Sequence, residues 1–244
     1  MIAGVLWRVV LLAIGIIAFG VQFDRQTRRT PAVAESVPEL FRSDAQLRVA
    51  ALTVAGEYPD LGLAEAEQLV RSRPLPAEHL RVLAEAQFAA GRVDQSALTI
   101  QYAAQRGWRD PLAQESMLRL ALDAGDNAEA ARRYAALFLR RDTADSLLEE
   151  LGGPVLSEKG GEGRQTLVAI VAGGKRWHNQ FLGRGSRVMP AGAFVDIVEQ
   201  AISEGVRFEC ANLQQAQRYA ASRDDEVEAL FDRIVGENCD SVGR

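Results

Sequence analysis

The hydrophobic positions along this chain recur every three to four residues, which is the spacing of amphipathic helices and not of strands. The pattern starts near Ser43, and short segments rich in glycine and proline interrupt it. It predicts helices around Leu47–Val54, Leu63–Val70, Leu80–Phe88, Ala97–Ala104, Met117–Ala121, Ala130–Leu139, Gln165–Ala172, Lys175–Leu182, Pro190–Ser203, Cys210–Ala221 and Asp225–Val235. We therefore expect an all-α protein.

An apolar segment occupies residues 1–23, where only Arg8 and Gln22 are polar. Its uninterrupted run, residues 9–21, is shorter than the roughly 20 residues that a membrane helix needs. Counted from Ile2, with the Arg8 side chain extended towards the headgroups, the segment reaches that length. We therefore expect an uncleaved transmembrane anchor over residues 1–23.

Two alternatives to an anchor stay open for this segment. In a cleaved signal peptide, the small residues needed for cleavage would be those of Ala18-Phe19-Gly20 or Ala32-Val33-Ala34. The first site lies inside the apolar run, and the second lies beyond three arginines. A buried helix of a soluble domain is the other alternative, but an arginine cluster beside the segment makes it a weak one.

Composition changes divide the rest of the chain into four further regions. Residues 24–42 are polar, contain Pro31 and Pro38, and indicate a linker. Residues 43–151 form a repeat region, with three helical hairpins at about residues 43–141. Residues 152–163 are rich in glycine and indicate a hinge, and residues 164–244 form a helical C-terminal domain that would cap the preceding helices.

Two segments of the chain repeat at a spacing of 34 residues, Ala89–Ala97 and Asp123–Ala131. In each one a glycine, Gly91 or Gly125, ends a helical pattern, and a pair of small residues follows it. A 34-residue repeat of helix, turn and helix is typical of an α-solenoid, in which each unit packs on the next. Such proteins hold other macromolecules, so the repeat favours a scaffold.

This stretch resembles the tetratricopeptide repeat (TPR) when Gly91 and Gly125 are placed at the turn between the two helices of a repeat. The residues that match the family pattern are Leu83, Ala84, Ser96, Ala103, Ala130 and Tyr134. The residues that depart from it are Leu80, Trp108, Leu118 and Leu137. The first repeat matches mainly through Ala50 and Pro74. The resemblance therefore implies a degenerate TPR-like array.

The resemblance also implies a partner-binding groove lined by the first helix of each repeat. The residues at those positions are Glu78, Arg81, Glu85, Phe88, Leu112, Glu115, Arg119 and Leu122. This surface would be mixed in charge and partly apolar, and it lacks the Lys/Asn pattern with which some family members hold a terminal carboxylate. An amphipathic helix is the expected protein partner. Alternatively, these side chains cover the neighbouring hairpin.

The two cysteines provide the most specific local signal. Cys210 begins one helix of the last predicted hairpin, and Cys239 follows the end of the other. Antiparallel packing would bring these ends together, so we predict a disulfide and an oxidising compartment. The alternative is two buried free cysteines in a cytoplasmic domain.

No motif for metal or nucleotide chemistry is recognisable in the chain. Neither His79 nor His178 has the spacing of a metal site. Gly173-Gly174-Lys175 follows an apolar run but lacks the earlier glycine of a phosphate loop, and Arg176 replaces its serine or threonine. We therefore predict no catalytic, cofactor-binding or metal-binding residue, and no cofactor.

One basic-aromatic segment, Lys175–Arg187, stands out within an acidic chain. It combines four cationic residues with Trp177 and Phe181, and it could contact an anionic lipid or glycan. A solvated turn with its aromatic rings packed inward is the favoured alternative. The formal net charge of the whole chain is −5, which argues against nucleic acid as a partner.

Two features of the sequence predict opposite membrane orientations. Arg25, Arg28 and Arg29 outnumber Arg8 on the other side of the apolar segment, and the positive-inside rule would place the body in the cytoplasm. The cysteine pair favours the periplasm. We expect a single-pass inner-membrane protein with a periplasmic body, the cytoplasmic body being the alternative.

The sequence thus predicts a membrane-anchored, non-catalytic scaffold that docks proteins. Its layout resembles accessory factors of bacterial envelope secretion or polysaccharide assembly, which is an analogy of layout alone. A helical enzyme acting on an envelope glycan is the second hypothesis, and it requires a deep pocket with a buried carboxylate at His178 and Trp177. A structural spacer is the third, and it requires Phe88 and Leu122 to be buried.

Overall fold

A computed structural model describes residues 2–239, with side chains from Gly4 onward. Helices account for its regular structure, and no strand occurs within the described residues. The prediction of an all-α protein is confirmed. The chain forms two compact units, the first ending at Ala113 and the second beginning at Gln114.

The first unit contains an apolar helix followed by paired shorter helices. Its helices are α1 (Ile2–Gln26), α2 (Asp44–Val54), α3 (Pro59–Ser72), α4 (Ala77–Ala89) and α5 (Val93–Arg106), and α6 (Pro111–Asp123) crosses the boundary between the units. Each of α2, α3 and α4 packs against the helix that follows it. The core between them contains Ala50, Leu63, Ala66, Leu69, Val82 and Ala86.

Helix α1 is long and apolar enough to cross a membrane over Gly4–Gln26. Only 6% of its most apolar window is buried, so it is not a core helix of the first unit. The exposed fractions of its large side chains are high, for example 66% at Leu12 and 71% at Phe19. An exposed apolar surface of this extent is compatible with a membrane-spanning helix and also with a signal sequence.

Residues 24–42, predicted as a linker, are instead packed against α2. The Asp24 carboxylate accepts hydrogen bonds from the backbone N–H groups of Ser43, Asp44 and Ala45 at 2.9, 3.0 and 2.8 Å. Two short 3₁₀ turns follow α1, at Pro31–Ser36 and Glu39–Phe41. Their buried side chains join those of α2 in a small core of Ala34, Val37, Ala45 and Val49, against which Phe23 and Phe41 pack.

The two glycines of the 34-residue repeat end helices in the same way. Gly91 has a φ of +74° and Gly125 a φ of +72°, the left-handed conformation that glycine adopts without strain. After α4, the N–H of Arg92 donates to the carbonyl of Gln87 at 2.8 Å; after α6, the N–H of Asp126 donates to that of Ala121 at 2.8 Å. Each is the six-to-one hydrogen bond of a Schellman cap.

The second unit is built around one large apolar core. Its helices are α7 (Asn127–Phe138), α8 (Asp145–Val155), α9 (Glu162–Ala172), α10 (His178–Val188), α11 (Ala191–Ser203), α12 (Cys210–Ala221) and α13 (Glu228–Cys239). Tyr134, Phe194 and Phe231 are the largest fully buried side chains in that core.

The hinge predicted at residues 152–163 is also packed. Helix α8 continues to Val155, and Leu151, Val155 and Leu156 are buried. A Cβ atom on Gly152 would lie 3.1 Å from the Tyr134 hydroxyl oxygen, and one on Gly163 would lie 2.1 Å from the Val155 carbonyl oxygen. These glycines permit close packing of helices, so they do not mark a division of the chain.

Candidate interaction surfaces

Helix α4 carries the first half of the predicted groove: Glu78, Arg81, Glu85 and Phe88. Arg81 is half-buried, and its Nη1 atom lies 2.5 Å from Oε1 of Glu85, one turn along the helix. Its Nε atom donates to Oδ2 of Asp110 at 3.2 Å. Phe88 is 66% exposed at the other end of α4. The ion pairs hold Arg81 in a fixed orientation.

A cleft of about 480 Å³ opens in the first unit where α4 and α6 begin. Its lining residues are Pro76, Ala77, Glu78, Arg81, Gly107, Arg109, Asp110, Pro111 and Leu112. Three residues predicted for the groove, Glu78, Arg81 and Leu112, therefore meet in one cavity. Leu112 is 51% exposed there, which gives the cleft an apolar wall beside its charged groups.

Sequence reasoning missed Asp110, which supports this cleft in two ways. Its Oδ1 atom accepts hydrogen bonds from the backbone N–H groups of Leu112 and Ala113, at 3.1 and 3.2 Å, and so caps α6. Its other oxygen pairs with Arg81. The dipeptide Asp110-Pro111 was the available signal, because aspartate favours the cap position of a helix and proline its first turn.

The remaining groove residues, Glu115, Arg119 and Leu122, lie on the part of α6 that belongs to the second unit. Arg119 Nη2 pairs with Glu115 at 2.9 Å and with Glu150 of α8 at 3.0 Å. These hydrogen bonds raise the pKa of the Arg119 guanidinium above its ordinary value. Leu122 packs against the core of the second unit. Phe88 is thus exposed and Leu122 half-buried, whereas the spacer hypothesis required both to be buried.

The basic-aromatic segment Lys175–Arg187 does not form one surface. Phe181 is 3% exposed, and the Arg184 guanidinium is buried, where it donates to the carbonyl oxygens of Phe138, Arg140 and Thr143 and to Asp145. Arg184 therefore fixes the chain between α7 and α8.

Three cations of this segment, Lys175, Arg176 and Arg187, remain exposed. The Arg176 guanidinium lies 4.5 Å from the centre of the Trp177 ring. Arg187 lines a cleft of about 500 Å³ with Arg141 and Tyr219. Contact of these residues with an anionic lipid or glycan remains a prediction.

Both histidines are buried and hydrogen-bonded. His79 Nδ1 lies 2.9 Å from the Arg73 carbonyl oxygen, and His178 Nε2 lies 3.1 Å from that of Val171. The His178 ring packs against Phe208, with 5.0 Å between the ring centres. The cavity beside Trp177 measures about 20 Å³, has only apolar residues in its lining, and has room for about one water molecule.

Cys210 and Cys239 are joined by a disulfide in this structure, with their Cα atoms 5.7 Å apart. The bond ties the first residue of α12 to the last residue of α13. Helices α12 and α13 pack against each other, as expected for an antiparallel hairpin. The predicted pairing of the helix ends therefore has the geometry that a disulfide needs.

No group of three or more His, Cys, Asp or Glu side chains that could hold a metal ion is found among the residues that the structure describes. The comparisons with known proteins identify no family either: no family model, no curated protein and no solved structure matches this chain.

Proposed function

We propose that this protein is a membrane-anchored, non-catalytic scaffold that docks other proteins on a degenerate TPR-like array. The observation that carries the proposal is the cleft at the start of α4 and α6. Residues that the repeat pattern assigned to a groove, from two successive repeats, line it together. A TPR groove is likewise lined by residues from the first helices of adjacent repeats.

The repeat geometry supports the same proposal. Gly91 and Gly125, 34 residues apart, end the first helix of each repeat with the same cap. Ser96 lies at the family's small position, and its hydroxyl donates to the Ala84 carbonyl oxygen across the hairpin at 2.8 Å. Ala130 is fully buried at the equivalent position. Small residues at these positions allow the two helices of a hairpin to approach closely.

The cleft suits an amphipathic peptide. Leu112 offers an apolar contact, while Glu78 and Arg81 offer groups of opposite charge within the same cavity. Because Glu85 and Asp110 already hold Arg81 in place, the surface is ordered before a partner arrives. A pre-organised surface loses less side-chain entropy on binding.

Site-specific photocrosslinking would test the groove. A photoreactive amino acid at Glu78 or Leu112 should capture the same partner in cells, and one at Leu98, which is 57% exposed on α5, should not. Leu112→Glu should then reduce the yield from position 78. Equal yields from all three positions would contradict docking in the cleft.

We also propose that α1 is an uncleaved single-pass anchor in the inner membrane. Cleavage after Ala34 would remove Asp24, which caps α2, and Thr27, which is fully buried. Cleavage after Gly20 would remove the residue on which the Phe41 ring packs. Cleavage at either site would therefore remove packing contacts of the first unit. The mass of the purified protein tests this, because an intact N-terminal segment gives the full-length mass.

The body is proposed to face the periplasm, because the Cys210–Cys239 disulfide persists only in an oxidising compartment. Alkylation of intact cells followed by non-reducing electrophoresis would test this. Both thiols should resist a thiol-reactive polymer until reductant is added. Free labelling of the native protein would favour a cytoplasmic body, in agreement with the arginines that follow α1.

A further inference from the structure

The 3₁₀ turn Glu39–Phe41 lies directly against the end of the apolar helix. A Cβ atom on Gly20 would come within 2.5–2.6 Å of the Phe41 ring, so this ring sits on the bare backbone of α1. Gly20 is buried, whereas its neighbours Phe19 and Val21 are 71% and 41% exposed. The turn therefore stands at the same level as the last exposed apolar residues of α1.

Leu40 projects from this turn and is 88% exposed, the highest fraction among the exposed large hydrophobic residues. A single exposed leucine needs no explanation in most proteins. Leu40 differs because Phe41, beside it in the chain, packs on Gly20, whose neighbours Phe19 and Val21 are exposed apolar residues. One apolar environment could therefore cover both the end of α1 and Leu40.

Charged residues mark the boundary of this apolar surface. Arg25, Arg28 and Arg29 follow within about two helical turns, and they line a cavity of about 490 Å³ with Gln22, Gln26 and Thr30. Arg28 is paired with Asp44 at 2.7 Å, whereas Arg25 and Arg29 are exposed. Cationic side chains near an anionic lipid surface are attracted to its headgroups. Glu35 and Glu39 are exposed acids on the turns and limit how deeply they can enter.

We propose that the turn Glu39–Phe41 enters the interfacial layer of a phospholipid bilayer, with Leu40 among the upper acyl chains and Arg25 and Arg29 at the anionic headgroups. This inference rests on the proposed anchor function of α1. It adds a second membrane contact and sets the first unit directly against the bilayer surface.

Fluorescence quenching by labelled lipids would test this contact. The full-length, disulfide-bonded protein carries one added cysteine with an environment-sensitive dye, at Leu40→Cys or at the matched control Leu61→Cys. Leu61 is 59% exposed at the start of α3, beyond the far end of α2 from the Asp24 cap. The proteins are reconstituted in vesicles of phosphatidylcholine and phosphatidylglycerol that contain lipids with a nitroxide high in the acyl chain.

The dye at position 40 should shift to the blue and be quenched several-fold more strongly than the dye at position 61. Equal, weak quenching at both positions would overturn the inference. A third variant, Leu12→Cys in α1, tests separately whether α1 is inserted in the bilayer. Quenching at 12 without quenching at 40 refutes only the interfacial turn, whereas protection at 12 refutes the anchor and the inference together.

Discussion

Gly91 and Gly125 show how one backbone angle can end a helix. Both lie in the left-handed region, and a Cβ atom at either position would meet no heavy atom within 4 Å. A lack of room for a side chain is therefore not the reason that glycine occupies these positions. The reason is backbone strain, which costs a residue with a side chain roughly 1–2 kcal/mol in this conformation.

Replacing Gly125 with alanine should accordingly lower the free energy of unfolding of the second unit by about 1 kcal/mol. Gly183→Ala is the matched control, because Gly183 also has open space around its Cβ position but lies in the middle of α10 without a positive φ. That change should stabilise the helix by about 0.5–1 kcal/mol. Thermal unfolding followed by circular dichroism measures both. A neutral Gly125→Ala variant would contradict the strain argument.

The cap made by Asp24 and the ion pair made by Asp110 could not be predicted at the scale of the residue. Each carboxylate caps a helix and has contacts that depend on the tertiary structure: Asp24 reaches amides about 20 residues away, and Asp110 also pairs with Arg81. A sequence shows that aspartate favours caps, but not which distant helix it caps. The glycines were visible because they repeat, and the aspartates do not.

Among the elements, most helices were predicted, whereas α8 and the packing of the connections were not. The apolar period placed α12 at Cys210–Ala221, where the structure has it, because its buried residues Leu213, Ala216 and Ala220 recur at helical spacing. Proline and glycine in residues 24–42 and 152–163 mark where helical hydrogen bonding stops. They do not show whether the intervening chain is packed, since the burial of Ala34 or the close approach at Gly163 depends on distant partners.

The Asp24 cap makes a testable contribution to the first unit. Asp24→Ala removes the acceptor for three backbone N–H groups of α2 and should cost about 1–2 kcal/mol of stability. Asp94→Ala is the control, because Asp94 is an exposed acid in the first turn of α5 and should cost less than about 0.5 kcal/mol. Hydrogen exchange at the amides of Ser43–Ala45 should accelerate only in Asp24→Ala. Unchanged exchange would show that water replaces the carboxylate at no cost.

The carboxylate of Asp44, the first residue of α2, should make the stability of the protein depend on pH. The pKa of Asp44 lies below its ordinary value of about 3.9, mainly because Arg28 donates hydrogen bonds to the carboxylate. Burial of the carboxylate raises the pKa and partly offsets this lowering. Because the folded-state pKa is the lower one, the stabilisation is complete above the ordinary pKa and is lost as the pH falls through the lowered value.

The difference in melting temperature between the native protein and Asp44→Asn should therefore be constant above about pH 5. In more acidic solution this difference should fall towards zero. It should also shrink with added salt, because Arg28 is 67% exposed. A difference that grows on acidification would contradict this assignment.

At the scale of the molecule, each compact unit has its own buried core, and the disulfide lies entirely within the second. Scanning calorimetry should show that reductant lowers the unfolding transition of the second unit, with a loss of roughly 3–4 kcal/mol for a loop of this size. The transition of the first unit should not move. The double variant Cys210→Ser/Cys239→Ser should be insensitive to reductant, and a shift of both transitions would contradict the assignment.

The sequence predicted the apolar N-terminal helix, the hairpins and the paired cysteines, but not the boundary between the units. That boundary falls at residues 113 and 114, inside α6, where the helical period continues without a break. The candidate groove was predictable in part. The repeat spacing predicted that Glu78, Arg81 and Leu112 line one groove, and all three line the cleft. It did not predict that Asp110, which lies in the turn before α6, would bind Arg81.

The packed segment at residues 24–42 also sets the reach of the proposed scaffold. A flexible chain of 19 residues would let the body wander about 25 Å from its anchor point. The Asp24 cap and the Phe41 contact remove that freedom, so the proposed anchor would hold the first unit at one height above the bilayer. Partners anchored in the same membrane would then meet it at a high effective concentration, whereas partners whose binding segments lie further out would not gain this advantage.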